Sequence, residues 1–158
     1  MHDPSALREL AVHAARETGA LLRHHAERGL RGLDTKSTAT DMVSDADREA
    51  EELLVRILSE ARPDDAILGE EGAGREGTSG LRWVVDPLDG TTNFVFGYPQ
   101  WAVSVAVEDE YGTLAGAVYD PSRDEMFAAG RGRGTTLNDA RVHVRGTHDL
   151  GQALIATG

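Results

Sequence analysis

The chain contains no cysteine. Disulfide scaffolds, thiolate zinc sites and cysteine nucleophiles are excluded together. Long apolar runs are missing too: no window approaches the roughly eighteen residues that a membrane-spanning helix needs. The opening residues, "MHDPSALREL", lack the basic start and apolar stretch of a secretory signal. A cytoplasmic location without a membrane partner is therefore expected. Positive charge is scarce, with 16 Lys and Arg against 27 Asp and Glu, a net charge of −11. Such a surface repels phosphate backbones and anionic lipid, so nucleic acid is not an expected partner. An anionic substrate can bind only where cations or backbone N–H groups reverse the field locally. No Walker motif, Gly-x-Ser-x-Gly elbow or EF-hand ladder occurs, and there is no repeat or low-complexity segment.

What is present describes one ordinary globular domain: 158 residues, 40% apolar and 27% charged. "DPSALRELAVHAARETGALLRHHAERG" predicts a helix capped by Asp3, with Pro4 in its first turn and Gly29 at its exit. Leu7, Leu10, Ala11, Ala14, Ala15 and Leu21 share one face at helical spacing. His13, His24 and His25 read as solvated helix surface. A polar loop, "LDTKSTATDMV", precedes a second helix that starts near Ser44 or Asp45 and stops at Pro63. Asp45, Asp47 and Glu49 in its first turn are ordinary partners of the helix dipole.

Beyond Pro63 the period changes. "AIL", "RWVVD", "AVSVAVE", "LAGAVYD", "EMFAAG" and "RVHV" are short β-rich runs separated by turn residues. "TLNDARVHV" predicts a hairpin turning at Asn138-Asp139, and "EDEYGTL" another near Tyr111-Gly112. "GRGRG" at 130–134 is a turn, since no helix pattern follows it. The final "DLGQALIATG" begins a further strand-like run. Helices followed by a meander of strands give an α+β fold, two N-terminal helices packed on a largely antiparallel sheet. The run stops abruptly at Gly158, so the chain is expected to be the front part of something longer.

The chemistry concentrates in "WVVDPLDGTTNF", residues 83–94. Two carboxylates, Asp86 and Asp89, flank a proline at the end of a buried strand. Like charges about 4 Å apart repel by roughly 4 kcal/mol at an effective dielectric near 20, so a cation between them or divergence into water is required. Pro87 holds Asp86 extended. Gly90 permits close backbone approach to a ligand. Thr91 and Thr92 supply hydroxyls, and the N–H groups after them can open a helical turn that receives phosphate. Acids beside anion-binding donors are reconciled by a divalent metal with oxygen ligands, which is magnesium chemistry. The Leu88 carbonyl lies between the acids as a further ligand. The same Pro-Leu-Asp-Gly is also a good turn sequence in its own right.

Upstream, "ILGEEG" places Glu70 and Glu71 after a short apolar strand, and "KSTATDMVSDAD" carries Lys36, Asp41 and Asp47. "DMVSDAD", "GEEG" and "WVVDPLDGTTNF", in this order and spacing, resemble the inositol monophosphatase family of magnesium-dependent, lithium-sensitive sugar phosphatases. The resemblance covers essentially the whole chain. It implies the first half of a layered αβαβα fold, residues 1–158 forming the N-terminal metal-binding domain, with a C-terminal α/β domain and its further aspartate ligand absent. It implies Glu70, Asp86, Asp89 and the Leu88 carbonyl as metal ligands, with Asp86 shared by two Mg2+ ions. Gly90, Thr91 and Thr92 would hold phosphate, with Glu70, Leu88 and Asp89 lining the substrate site. Asp47 and Thr91 would orient the attacking water. Lys36 and Asp41 fall near the active-site loop. The glycine-rich 71–80 stretch is either a cover over the metals or a surface turn.

The implied activity is hydrolysis of a small polyol or sugar phosphate, inositol monophosphate foremost, by in-line attack of water between two metals. Histidinol phosphate, fructose 1,6-bisphosphate and phosphoadenosine phosphate are alternatives. So is a non-catalytic interaction domain that keeps the fold. With three carboxylate ligands in the chain, little activity is expected of it alone. An uncovered sheet face and edge would favour a homodimer.

Overall fold

Residues 3–31, 39–69 and 74–155 are described by the computed structural model; the side chains of residues 29–31 and 39–44 fall outside that description. Helix α1 spans Pro4–Arg31 and α2 spans Ala39–Ala61. Asp3 caps α1 as expected, its Oδ1 accepting from the Ser5 N–H at 3.0 Å. Gly29 does not end α1; the helix runs two residues past it. Glycine costs only about 1 kcal/mol in a helix interior, too little to stop a long one already packed. Likewise α2 begins at Ala39 rather than near Ser44. Nothing in "ATDMV" breaks a helix, and propagation is cheap once a nucleus exists. Asp45 and Asp47 therefore lie beyond the first turn of α2.

The strands are β1 (Ala66–Gly69), β2 (Gly74–Arg75), β3 (Arg82–Asp89), β4 (Ala102–Asp109), β5 (Gly112–Asp120), β6 (Glu125–Gly130), β7 (Gly134–Leu137) and β8 (Ala140–Val142). They form one sheet in the order β2-β1-β3-β4-β5-β6-β7-β8. Every pairing is antiparallel except β1 with β3, which is parallel. The β7–β8 hairpin turns at Asn138-Asp139, both at positive φ (46° and 66°), the geometry of a tight two-residue turn. In the β4–β5 hairpin the turn is Glu110-Tyr111, since Gly112 already pairs with Asp109. Residues 150–152 form a 3-10 turn capped by Asp149 and residues 153–155 no regular structure, so no strand follows Asp149 as far as Ile155. Gly151 and the local capping of Asp149 compete with extension there.

Both helices lie on one face of the sheet. In α1 the buried side chains are Leu7, Ala11, Ala14, Ala15, Thr18 and Leu22, and in α2 they are Ala46, Ala50, Leu54 and Leu58. Spacing of three and four keeps each set on one face. They meet Trp83, Val85, Val103, Val105, Val107, Ala115, Ala117, Tyr119, Met126 and Ala128, the alternate residues of β3–β6. α1 packs across β4, β5 and β6, and α2 packs against α1 and β3. His25 is not plain surface: its Nε2 lies 3.0 Å from Glu49 Oε2 of α2, tying the helices together.

The opposite face is apolar and uncovered among the described residues. Register places Leu68, Val84, Ala106, Gly116 and Ala129 in one row and Asp86, Ser104, Val118, Phe127 and Leu137 in the next. Val84, Val118 and Phe127 are 36–42% exposed there.

Candidate metal and phosphate site

Strand β3 carries the site at its C-terminal end. Val85 faces the helices at 3% exposure, so alternation sends Asp86 to the open face, where it is half-buried. Asp86 pairs with Ser104, and the next pairing is Asp89 with Ala102. β3 thus carries one residue more than β4 across this step, a β-bulge. Pro87, which has no N–H to lose, suits that irregular position.

The two carboxylates stand at either end of this bulge. Asp86 Oδ1 accepts from the Leu88 N–H at 3.0 Å, while Asp89 is exposed. Leu88 itself is buried at 1% exposure and anchors the turn in the core. Its carbonyl accepts from the Thr91 hydroxyl at 3.0 Å, and a carbonyl oxygen has a second lone pair left for a cation. Gly90 sits at φ 89°, ψ 36°, and a Cβ there would fall 3.0 Å from the Gln100 carbonyl. Only glycine takes this conformation without strain. The chain then enters the short helix α3, Thr91–Val95, which packs against α2. Phe94 closes edge-to-face on Trp101 at 5.0 Å, and Asn93 Nδ2 donates to the Gln100 carbonyl at 2.7 Å, fixing the far side of the turn.

The structure therefore brings Asp86, Leu88, Asp89, Gly90, Thr91 and Thr92 together on one bulged turn. The turn reading and the site reading of Pro-Leu-Asp-Gly describe the same backbone. Asp47 is half-buried on α2, the helix against which α3 packs. Glu70, Glu71 and Lys36 lie outside the described residues, as does the side chain of Asp41. Among the described residues no three His, Asp or Glu side chains lie close enough to hold an ion. Two carboxylates and a carbonyl remain, an all-oxygen donor set that suits a hard cation such as Mg2+. Parallel pairing sets Gly69, the last residue of β1, beside Val85. The chain thus leaves β1 level with Asp86.

Two features escape a local reading. Ser104 stands opposite Asp86 on the open face, a position that only strand register reveals. The other is a clasp at the opposite end of β3. Asp65 is 1% exposed, and its carboxylate accepts from Arg62 Nε (2.8 Å) and Nη2 (3.2 Å) and from Trp83 Nε1 (2.9 Å). Burial pushes its pKa up, but hydrogen bonds from Arg62, Ser79 and Trp83 and the Arg62 charge outweigh that, holding it below the usual carboxylate value. Arg75 Nη2 donates to the carbonyls of Arg62 (3.1 Å), Pro63 (2.7 Å) and Asp65 (2.8 Å). Of the glycine-rich 71–80 stretch, residues 74–80 are laid against this turn, with the Thr78 and Ser79 N–H groups donating to the Asp64 carbonyl at 2.8 and 3.0 Å.

Residues 3–158 match the model of the inositol monophosphatase family. The chain is 44% identical over 156 residues to an inositol-1-monophosphatase of Rhizobium meliloti, covering 98% of this chain and 58% of the relative. It is 44% identical over 156 residues to the Nus factor SuhB of Pseudomonas aeruginosa, covering 94% and 56%. Among solved structures, the extragenic suppressor protein suhB from Bartonella henselae superposes with a TM-score of 0.81 at 40% identity, covering 92% of this chain and 56% of that one. The inositol monophosphatase from Anabaena gives 0.78 at 30% identity, covering 92% and 52%. The chain thus spans little more than half the length of the relatives it matches. Their fold is the mixed helix-on-sheet arrangement described above.

Proposed function

Because the chain belongs to the inositol monophosphatase family, we propose that it supplies the metal- and phosphate-binding part of a Mg2+-dependent phosphomonoesterase. Its substrate would be a small polyol or sugar phosphate, inositol monophosphate foremost. The reading is carried by one observation: a single bulge that gathers Asp86, the Leu88 carbonyl, Asp89, Gly90 and Thr91 at the end of β3. Asp86, Asp89, the Leu88 carbonyl and Glu70 would hold Mg2+. When bound, the metal supplies charge neutralisation of the phosphoryl group and Lewis acidity towards water. Gly90, Thr91 and Thr92 receive the phosphate through backbone and hydroxyl donors. Asp47 and Thr91 orient the attacking water. Phosphoryl transfer needs positioning and neutral charge more than a covalent nucleophile, which suits a site without cysteine.

Magnesium calorimetry on the 158-residue chain tests this directly. Wild type should bind Mg2+ and Asp86→Asn should lose at least tenfold in affinity. Equal binding by both would overturn the metal site. Substrate class is tested separately on a full-length relative carrying these residues, with inositol 1-phosphate set against histidinol phosphate, fructose 1,6-bisphosphate and phosphoadenosine phosphate. The chain by itself should hydrolyse any of them only slowly.

A second reading, a binding module that keeps the fold, draws on relatives named Nus factor SuhB and on the uncovered apolar face bearing Val84, Val118 and Phe127. Partner binding unchanged by chelation and by Asp86→Asn would favour it. The same face would support a homodimer, which sedimentation at several concentrations would detect.

A further inference from the structure

The turn that carries Asp89 and Thr91 is not held in place by its own helix. α3 has five residues, far fewer than the roughly 12 that an isolated helix needs to persist in water. Gly90, at its N-cap, offers no side chain to the first turn. The β3–β4 ladder shifts register between Asp86 and Asp89, so it does not by itself fix the residues there. Bonds from the Leu88 N–H to Asp86 and from the Thr91 hydroxyl to the Leu88 carbonyl shape the turn from within. Its polar anchorage to the next strand comes from Asn93. Asn93 accepts through its backbone carbonyl from the Tyr98 N–H at 2.8 Å and donates through Nδ2 to the Gln100 carbonyl at 2.7 Å. The same Gln100 carbonyl lies against Gly90, 3.0 Å from where a Cβ would stand, with Trp101 Cα at 3.3 Å. Directly after Trp101, Ala102 pairs with Asp89. Phe94, edge-to-face on Trp101, is the apolar half of the same anchorage.

We propose that Asn93 is a positioning residue for the metal and phosphate turn: by holding residues 98–100 against α3, it sets where Gly90, and with it Asp89 and Thr91, stand at the end of β3. The proposal rests on the metal reading above. Asn93 acts through Gln100, whose carbonyl meets both the Asn93 amide and the Gly90 backbone. A backbone carbonyl only accepts, so the group turned towards it must be a donor. An aspartate of the same shape has no N–H to give and would set its charge against the carbonyl oxygen. The Asn93–Gln100 bond lies at the surface, and a single hydrogen bond adds only modestly to stability. Loss of the amide should therefore be felt in cation binding far more than in the melting temperature.

The test is Mg2+ calorimetry and thermal unfolding on the 158-residue chain, run on wild type, Asp86→Asn, Asn93→Ala, Asn93→Asp and Arg131→Ala. Asn93→Ala should weaken Mg2+ binding about tenfold, the low end of the loss seen when outer-shell partners of metal ligands are removed. Its melting temperature should fall by no more than about 4 °C. Asn93→Asp should weaken binding at least as much, although it adds a negative charge close to Asp89 in the chain, and it stands in if the alanine variant fails to fold. Arg131→Ala breaks the 3.2 Å pair with Asp109 at the opposite end of β4 and should bind Mg2+ as wild type does. Wild-type affinity in Asn93→Ala would overturn the proposal. So would unchanged or tighter binding by Asn93→Asp, the result expected if only the added charge mattered. A comparable loss in Arg131→Ala would mark a general response of the fold and would overturn it too. If Asp86→Asn binds Mg2+ as wild type does, the metal reading itself fails, and the Asn93 role with it.

Discussion

At its N-terminal end β3 meets Asp65, a carboxylate sealed in the interior by Arg62 and the Trp83 indole. At its C-terminal end the same strand carries Asp86 and Asp89, one half-buried on an open face and one exposed. The first acid has its charge answered by a guanidinium within the fold. The second pair flanks a bulge, where Asp86 Oδ1 accepts from the backbone N–H of Leu88 and Asp89 lies exposed. A carboxylate completed by its own protein is a structural part. Carboxylates set with a backbone carbonyl at a strand end are the oxygen donor set proposed above for a cation. The difference between the two ends lies in the company each acid keeps, since the residue type is the same.

Substitutions should separate the two ends in opposite senses. Asp65→Asn leaves Arg62 half-buried without its counter-charge and should destabilise by about 3 kcal/mol, the lower end for a broken buried pair because Arg62 is partly exposed. Urea unfolding would show it with or without Mg2+, and a change below about 0.5 kcal/mol would erase the contrast. Acid should remove the same contribution. The folded pKa of Asp65 is depressed, so its stabilisation is complete above about pH 4, the unfolded value, and lost as pH falls through the lower folded value. The gap between wild type and Asp65→Asn should therefore close below pH 4. Gly90→Ala comes next, at roughly 1–2 kcal/mol for a side chain forced into left-handed backbone. Smallest in stability is Asp89→Asn, within about 0.5 kcal/mol for an exposed residue. Its Mg2+ affinity should nonetheless drop more than tenfold. An Asp89→Asn protein that bound Mg2+ normally would leave the C-terminal end without its distinguishing property.

The legible parts of the molecule are those whose causes are local. Asp3 caps α1, Asn138-Asp139 turns the last hairpin, and the β-rich runs "RWVVD" and "AVSVAVE" mark the strands, because each depends on neighbours within a few residues. The turn sequence Pro87-Leu88-Asp89-Gly90 and the donors after it were readable for the same reason, whereas the bulge needs the register with β4. Asp65 was not. "RPDDA" after a helix looks like an ordinary turn, and only the arrival of Trp83, eighteen residues on, turns its second acid into a buried anchor. Arg75 and Ser104 are hidden in the same way, by contacts that pairing register creates. His25 read as surface because its partner Glu49 belongs to another helix. The start of α2 was misplaced by treating a polar composition as a loop, although "ATDMV" contains no residue that forbids a helix. The parallel β1–β3 pairing left no mark in the residues at all.

The seat of α1 has a consequence for how the chain is made. Its apolar stripe, Leu7 to Leu22, rests on β4, β5 and β6, the last of which ends at Gly130. A ribosome adding about 5–20 residues per second releases the helix several seconds before the last of those strands exists. During that interval α1 lacks those strands and has α2, itself amphipathic, to lean on. Biosynthesis must therefore carry an amphipathic two-helix segment with its apolar stripe uncovered until the strands that seat it have been made.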